Sequence, residues 1–349
     1  MQTLQQERTL DELLQQELKP LVRKVDEEAY YAESFLLQLG RDGWLSSEGL
    51  TVGEAAAREV QVVHAVSANC MTTGFNLWCH LAALTYVRHT ENEALRARFL
   101  PALENGELLG ATGLSNPMKY YAGLEKLHLN AERVSGGYVL NGALPAVSNL
   151  GKGHWFGAIA AAGDDQRIMA FVSCDAEGVS LKEKTAYLGL NGSATYACRL
   201  QDVFVPDEEI LSEDADTFVP AIRPYFVTYQ VPLGLGVTEA AIASMNKCRS
   251  RQHGANQLLP VQPEDLQERL DQVTADFTQQ LDQGVTWKGM LEVRRKAVYL
   301  TLDAVNAAMM HTGGPAYLQA SPDGRRLREA FFFLNLTPTA KHLEKMLQA

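Results

Sequence analysis

No stretch of the chain approaches the roughly 18 consecutive apolar residues that a membrane-crossing helix needs, so no span is expected. The N-terminus, MQTLQQERTLDELLQQ, has no hydrophobic signal core, which makes the cytoplasm the expected location. Basic residues are outnumbered, with 31 Lys and Arg against 42 Asp and Glu, and the formal net charge is −11. No stripe of Lys and Arg reverses that balance, and a phosphate backbone requires a basic face, so nucleic acid is excluded as a partner. Cysteine is scarce and scattered: Cys70, Cys79, Cys174, Cys198 and Cys248, with no CxxC pair. These residues are expected to be reduced and mostly buried, and their spacing excludes a structural zinc site. Internal repeats and low-complexity segments are absent.

What is present divides by period. A chain of 349 residues is too long for one small core and suggests two or three lobes. From Asp11 to Leu39 apolar residues recur at three- and four-residue spacing up to Gly40. A second such pattern runs from Val52 to about Val87, with Leu77, Leu81 and Leu84 on one face. Glu91–Leu100 reads as a short helix closed by Pro101. Near Gly110 the period changes to two. Leu127, Leu129 and Ala131 alternate with polar residues, and a Gly136–Gly137 turn leads into Tyr138-Val-Leu-Asn-Gly, a hairpin signal. Strand-like runs follow at 155–162, 167–174, 179–182 and 195–205, which suggests a small β-barrel or sandwich. Beyond Asp216 the helical period returns. Leu266, Leu270, Val273, Phe277 and Leu281 share a face, and Pro263 with Glu264 and Asp265 makes a favourable first turn. An Ala-rich helix is expected over Leu291–Met310 and a last one over 323–347, interrupted near Pro338, so this part reads as a four-helix bundle. The fold class is therefore α+β. Its expected divisions are an N-terminal α-helical domain (1–110), a middle β domain (111–212) and a C-terminal four-helix bundle (213–349).

Five segments carry a family resemblance. The run His89–Pro117, HTENEALRARFLPALENGELLGATGLSNP, resembles the acyl-CoA dehydrogenase segment G-T-E-x-Q-K-x-x-x-L-P-x-L-x-x-G-E-x-x-G-A-x-A-L-T-E-P. Gly137–Gly142 with Val147–Asn149 is similar to Y-x-L-N-G-x-K-x-W-I-T-N. Leu188–Thr195 with Leu200–Pro206 is similar to M-G-x-R-G-S-x-T followed by F-x-D-V-x-V-P. Ser250–Gly254 resembles R-x-Q-F-G, and His311–Leu318 resembles the H-G-G-x-G-Y loop. The segments occur in family order over about residues 20–345. The resemblance thus implies an acyl-CoA dehydrogenase-like architecture with FAD, or FMN, as cofactor.

A flavin ring needs an apolar cleft and a few aimed hydrogen bonds. The resemblance places Leu114, Ser115, Val147 and Ser148 around the ring, with both serines where the family has Thr. It places Arg251 and Gln252 in the motif that binds the FAD pyrophosphate, and Gly313 and Gly314 in the loop that completes a neighbouring subunit's FAD site, which implies a homodimer or homotetramer. Three departures stand out. Ala146 replaces the family's Trp, and Trp155, Tyr120 and Tyr121 are the aromatic residues nearby in sequence. Met118–Gly123 replaces a Gly-rich turn. Ser250 takes the place of the pyrophosphate-binding Arg, for which Arg249 or Arg251 would substitute by a register shift.

The catalytic residue is unassigned. Removing a Cα proton requires a base within hydrogen-bond reach. The resemblance puts the usual Glu at Thr337 or, in a few relatives, at Pro224, and neither side chain is a base. Glu329 and Glu344 are the nearest acids and read as solvated helix residues. The resemblance puts His253 near the adenine end of the cofactor and His311 in the loop that meets a neighbouring subunit's cofactor, whereas His64 and His80 lie on an apolar helix and read as satisfied core histidines. Three functional readings follow. The first is a flavin-dependent oxidoreductase acting on CH–CH groups of a small-molecule substrate such as an acyl thioester. The second is a flavin-dependent monooxygenase of the same superfamily, and the third a non-catalytic subunit that keeps the fold. The first ranks highest because fold and flavin motifs are the strongest signals.

Overall fold

The structure, a computed structural model, describes residues 8–183 and 186–348. Helix α1 (Leu10–Leu13) starts on a capping box in which Thr9 and Glu12 satisfy each other's backbone N–H groups. The long helical pattern expected over residues 11–39 is broken. Pro20 lacks the N–H that would continue the ladder, and the chain passes through a wide π-helical turn (Leu14–Leu18) and a tight 3-10 turn (Lys19–Leu21) before α2 (Val22–Glu27). Ala29, at φ 54°, turns it again into α3 (Glu33–Arg41).

The pattern expected over residues 52–87 is also two helices. These are α4 (Val52–Asn69), capped by a Thr51–Glu54 box, and α5 (Met71–His89), with Cys70 extended between them. Helix α5 is buried on every face from Met71 to Val87, as befits a helix at the centre of a core. Helix α6 (Glu93–Glu104) continues past Pro101. The proline removes a single ladder bond, and the last turn is held by the Asn105 N–H on the Pro101 carbonyl at 2.9 Å.

The β lobe is one mixed sheet. Strand β1 (Gly110–Thr112) lies parallel to β4 (Trp155–Ala161) and leads into the short helix α7 (Ser115–Tyr121). Strands β2 (Leu129–Val134) and β3 (Gly137–Val147) form the expected hairpin, with Gly136 at φ 81° in the turn. Strands β5 (Arg167–Ser173), β6 (Val179–Glu183), β7 (Tyr196–Pro206) and β8 (Ile210–Ser212) complete the order β6-β7-β3-β2-β4-β5-β8. Residues from β2, β3, β4, β5, β7 and β8 share one apolar core, so the sheet curls about it. Ile159, Met169 and Phe171 point the other way, as the strand period requires, and join the helical core.

The C-terminal helices are α8 (Ala215–Thr228), α9 (Val231–Cys248), α10 (Pro263–Asp282), α11 (Trp287–Thr312), α12 (Pro322–Asn335) and α13 (Ala340–Gln348). They share a single apolar core with α3, α4, α5 and α6. Helices α4 and α9 approach so closely that a Cβ on Gly236 would lie 2.5 Å from the His64 carbonyl oxygen. All five cysteines are buried and free. Among the described residues, no helix is long and apolar enough to cross a membrane.

Candidate functional site

Two turns meet where the sheet lobe and the C-terminal helices come together. The first follows β1. The Tyr86 and Thr112 hydroxyls bond each other at 2.7 Å, and Thr112 Oγ1 also accepts the Leu114 N–H. This pins the start of α7 and leaves the Ser115 side chain exposed. The second turn follows α12. Its Thr337 hydroxyl lies 3.0 Å from the Ser115 hydroxyl, across more than two hundred residues of chain. Gln230 Nε2 donates to the Thr337 carbonyl at 2.9 Å. Two residues on, the Thr339 hydroxyl is buried without a hydrogen-bond partner.

The end of β3 forms the next wall. A Cβ on Gly113 would touch Leu144, and Asn149 Nδ2 donates to the Gly110 carbonyl, so β3 and its following turn lie beside β1. Ser148 and Ser193 each bond the Thr195 hydroxyl at 2.7 Å. Asn149, at φ 62°, is held by Tyr31, whose hydroxyl donates to Asn149 Oδ1 at 2.7 Å. Pro145 and Ala146 are exposed, so Ala146 offers the cleft an open, small surface where a bulky ring would otherwise stand. Leu114 and Val147 turn their side chains into the helical and sheet cores respectively, which leaves only their backbone to meet a ligand.

The other four expected cofactor residues gather elsewhere. Arg251 and Gln252 open a turn in which Gln252, His253 and Gly254 all have positive φ. Asn256 Nδ2 donates to the carbonyls of Cys248 and His311, which ties this turn to the end of α11, next to Gly313 and Gly314. A Cβ at either glycine would meet nothing within 4 Å, so the backbone is open to approach. Arg251 lines a cavity of about 660 Å³ with Lys247, Thr312, Leu318 and Arg326. Arg249 is instead paired with Glu264. Within the chain these four residues share no hydrogen bond with the Ser115 cleft among the described residues.

Several expected roles change. Glu329 is not solvated: it is 1% exposed, pairs with Arg325 at 3.0 Å and accepts the Met71 N–H at 3.1 Å. That N–H begins the buried helix α5 and needs an acceptor, which explains both the burial of Glu329 and the break at Cys70. Burial pushes the Glu329 carboxyl up, against the opposing pull of Arg325. Glu344 does stay at the surface, paired with Arg295 and Tyr299. His64 is not a core residue; it is half-buried and reaches Glu239 at 2.5 Å, because the α4–α9 contact brings its edge to the surface. His80 is a core histidine, with Nδ1 accepting the Gly110 N–H and Nε2 facing the Leu103 carbonyl. One neutral tautomer satisfies both, and burial pushes its pKa down to about 3. His311 is buried against the Val261 carbonyl, and Pro224 is buried inside α8.

Two groups at the cleft escape a sequence reading. Arg294 of α11 is fully buried, with Nε donating to Gln230 Oε1 and Nη2 to the Phe333 carbonyl. It sits in an Arg-Arg-Lys run that looks solvated. His342, near the start of α13, faces Lys119 and Glu125, and burial lowers its pKa, as do Lys341 and Lys119. Its only sequence signal is the Thr339-x-x-His342 spacing at a helix start, where the Thr339 N–H approaches His342 Nδ1 at 3.4 Å.

Comparison with known proteins bears on this geometry. Residues 3–107 match the family described as acyl-CoA dehydrogenase, N-terminal domain. The chain is 28% identical over 148 residues to benzylmalonyl-CoA dehydrogenase of Aromatoleum aromaticum, covering 41% of this chain and 39% of that protein. It is 26% identical over 224 residues to the short-chain specific acyl-CoA dehydrogenase of Clostridium acetobutylicum, covering 61% and 58%. The matched stretches thus span less than two thirds of either relative. The structure of butyryl-CoA dehydrogenase from Megasphaera elsdenii superposes with a TM-score of 0.87 at 18% identity, covering 97% of this chain and 95% of that one.

Proposed function

We propose that the chain is a member of the acyl-CoA dehydrogenase superfamily and a flavin-dependent oxidoreductase acting on a CH–CH bond of a small acyl thioester, a reading supported by the N-terminal family match, the similar dehydrogenases and the shared fold. The observation that carries this reading is the Ser115–Thr337 contact. It joins the turn after β1 to the turn after α12, the two segments that the resemblance sets against the flavin and the substrate. In the proposed division into residues 1–110, 111–212 and 213–349, Ser115 belongs to the second part and Thr337 to the third.

The residues present fit FAD. Its ring edge requires hydrogen-bonding groups with capacity to spare, and the exposed Ser115 hydroxyl, whose contact with Thr337 uses only part of its capacity, and the partnerless Thr339 hydroxyl have it. Ser148 and the Leu114 and Val147 backbones complete that end. Arg251 and Gln252 with the open Gly313–Gly314 backbone suit the pyrophosphate end of a cofactor held by a second subunit. When bound, FAD supplies a hydride acceptor. Among the described residues, no carboxylate hydrogen-bonds Ser115, Ser148 or Thr337, so the turn at Thr337 orients a ligand by hydroxyl and backbone contacts and removes no proton itself.

Free, buried cysteines support a reducing, cytoplasmic location. Exposed Leu258, Tyr317 and Leu318 beside Arg251 and Gly314 support a homodimer or homotetramer. The missing carboxylate favours, as a second reading, a flavin monooxygenase of the same superfamily, with FMN as its cofactor. The deciding experiment is the absorbance spectrum of the purified protein with added FAD or FMN, followed by anaerobic titration with a panel of acyl-CoA thioesters. Bleaching by a thioester supports the dehydrogenase. NAD(P)H-linked oxygen uptake without bleaching supports the monooxygenase. A protein that binds neither flavin refutes both and leaves a fold-keeping subunit.

A further inference from the structure

A cavity of about 200 Å³ lies where the end of α5 meets the first turn of α4 and the last turn of α8. None of its lining residues belongs to the expected cofactor set or to the Ser115–Thr337 contact. Leu50, Val52, Ala55 and Leu100 give it an apolar side, and Tyr225 and Tyr229 an aromatic one. A cavity of about 150 Å³ accepts one benzene ring, so this one has room for a single ring with a small substituent.

The polar side is built around Arg88. Its Nη1 donates to Glu59 at 2.8 Å, and Nη2 donates to Glu104 at 2.8 Å and to the Leu45 carbonyl at 3.1 Å. Nε donates to Glu104 at 3.2 Å, so one N–H of the guanidinium, on Nη1, stays uncommitted. Both carboxylates are buried behind the lining. Tyr229 donates its hydroxyl proton to Glu59, Ser47 to Glu104 and Thr85 to the Leu81 carbonyl, which leaves these three hydroxyls acceptor capacity alone. Two carboxylates around one guanidinium leave an excess negative charge that opposes an anion in the cavity. A cation meets the guanidinium, which stands nearer, on the lining itself. Both charged forms are therefore disfavoured.

Two groups on the lining are free. His89 Nδ1 lies 2.8 Å from the Thr85 carbonyl and so carries the ring proton, which makes Nε2 an acceptor. Burial pushes its pKa down, so the ring is neutral. The Tyr225 hydroxyl has no hydrogen-bond partner among the described residues and keeps its proton, because burial raises its pKa. The two rings lie 5.4 Å apart. An acceptor beside a donor suits one ligand group that gives and takes a hydrogen bond at once; a hydroxyl does both, a carboxylate or an ammonium only one.

We propose that this cavity binds one small uncharged phenol per chain, with its ring against Tyr225, Tyr229 and Leu100 and its hydroxyl between His89 Nε2 and the Tyr225 hydroxyl. The site is independent of the flavin and thioester reading. His89 also borders a second cavity, lined by Glu91, Asp207, Glu213 and Asp214, so Tyr225, which borders the first and not the second, is the diagnostic residue.

Calorimetric titration of the purified full chain with phenol, toluene, benzoate and benzylamine tests it. Phenol is expected to saturate one site per chain, with benzoate and benzylammonium bound roughly tenfold more weakly. Tyr225→Phe keeps the ring and removes the hydroxyl, so it should weaken phenol about two- to tenfold while leaving toluene unchanged. Val52→Trp places an indole at the exposed edge of the cavity and should abolish phenol binding. Absence of saturable phenol binding, or tighter binding of benzoate or benzylamine, overturns the inference. An unchanged phenol affinity in either variant overturns it as well, since the ligand would then sit elsewhere. If one variant does not fold, the other decides.

Discussion

Glu329 of α12 accepts the backbone N–H of Met71 at 3.1 Å, so a residue near the end of the chain caps the helix at the centre of the first lobe. The same carboxylate pairs with Arg325. Removing one partner of a buried ion pair strands the other, at a cost of about 3–5 kcal/mol. Glu329→Ala should destabilise the fold by about that amount in chemical denaturation. Glu329→Gln keeps an acceptor for Met71 and should recover part of the loss; equal losses in the two variants would contradict the capping role.

His80 predicts how stability responds to acid. Its pKa falls from 6.5 to about 3 on folding, so the unfolded chain takes up a proton that the folded one refuses. The stability this contributes is complete above pH 6.5 and is lost as pH falls towards 3, at about 1.4 kcal/mol per pH unit. Urea midpoints measured between pH 7 and pH 4 should fall accordingly, and His80→Gln, though less stable at neutral pH, should show a flatter acid slope.

The α4–α9 contact tolerates no side chain at Gly236. Its Cβ would lie 2.5 Å from the His64 carbonyl and 2.8 Å from the Ala68 nitrogen, both backbone atoms. Gly236→Ala should lower stability by about 1–3 kcal/mol despite the better helix propensity of alanine. A thermal midpoint equal to wild type would show that the two helices part at little cost.

Arg249 and Arg251 compete for one role, and their surroundings differ. Arg249 is engaged by Glu264, whereas Arg251 lines the cavity beside Thr312. Loss of a charge-assisted contact to a phosphate costs about 1.5–3 kcal/mol, so Arg251→Ala should weaken FAD binding roughly tenfold or more. Arg249→Ala should leave it within about twofold. Fluorescence titration with FAD measures both, and the reverse order would assign the cofactor contact to Arg249.

Thr337→Glu restores a carboxylate to the turn facing Ser115. If the cleft binds an acyl thioester against these hydroxyls, a base there should raise the anaerobic bleaching rate by about 10²–10⁴-fold over wild type. No gain in a folded, flavin-loaded variant would argue that the thioester's Cα lies away from this turn.

The order of helix, sheet and helix was legible because period changes are local. Leu266, Leu270, Val273 and Phe277 all bury on one face of α10, as their spacing predicts. The β2–β3 hairpin was equally plain. What escaped was decided by tertiary contacts. Ala68-Asn69-Cys70-Met71 contains neither Gly nor Pro, so nothing in the period announces the α4–α5 break; a distant carboxylate allows it. Glu329 and Arg294 each sit in a run of charges that would be solvated on an isolated helix. Their burial depends on which helix covers them, and spacing along one helix does not encode that. The residues expected to meet a cofactor were legible only as motifs, and the geometry adds that they fall into two separate groups.

Helix α5 has a consequence for how the protein is made. Its buried faces are covered by α8, α9 and α12, all encoded after the sheet. On the ribosome, its apolar surface emerges long before those helices exist. Residues 71–87 are therefore the segment a chaperone would hold, and synthesis must reach α12 before the first lobe can close.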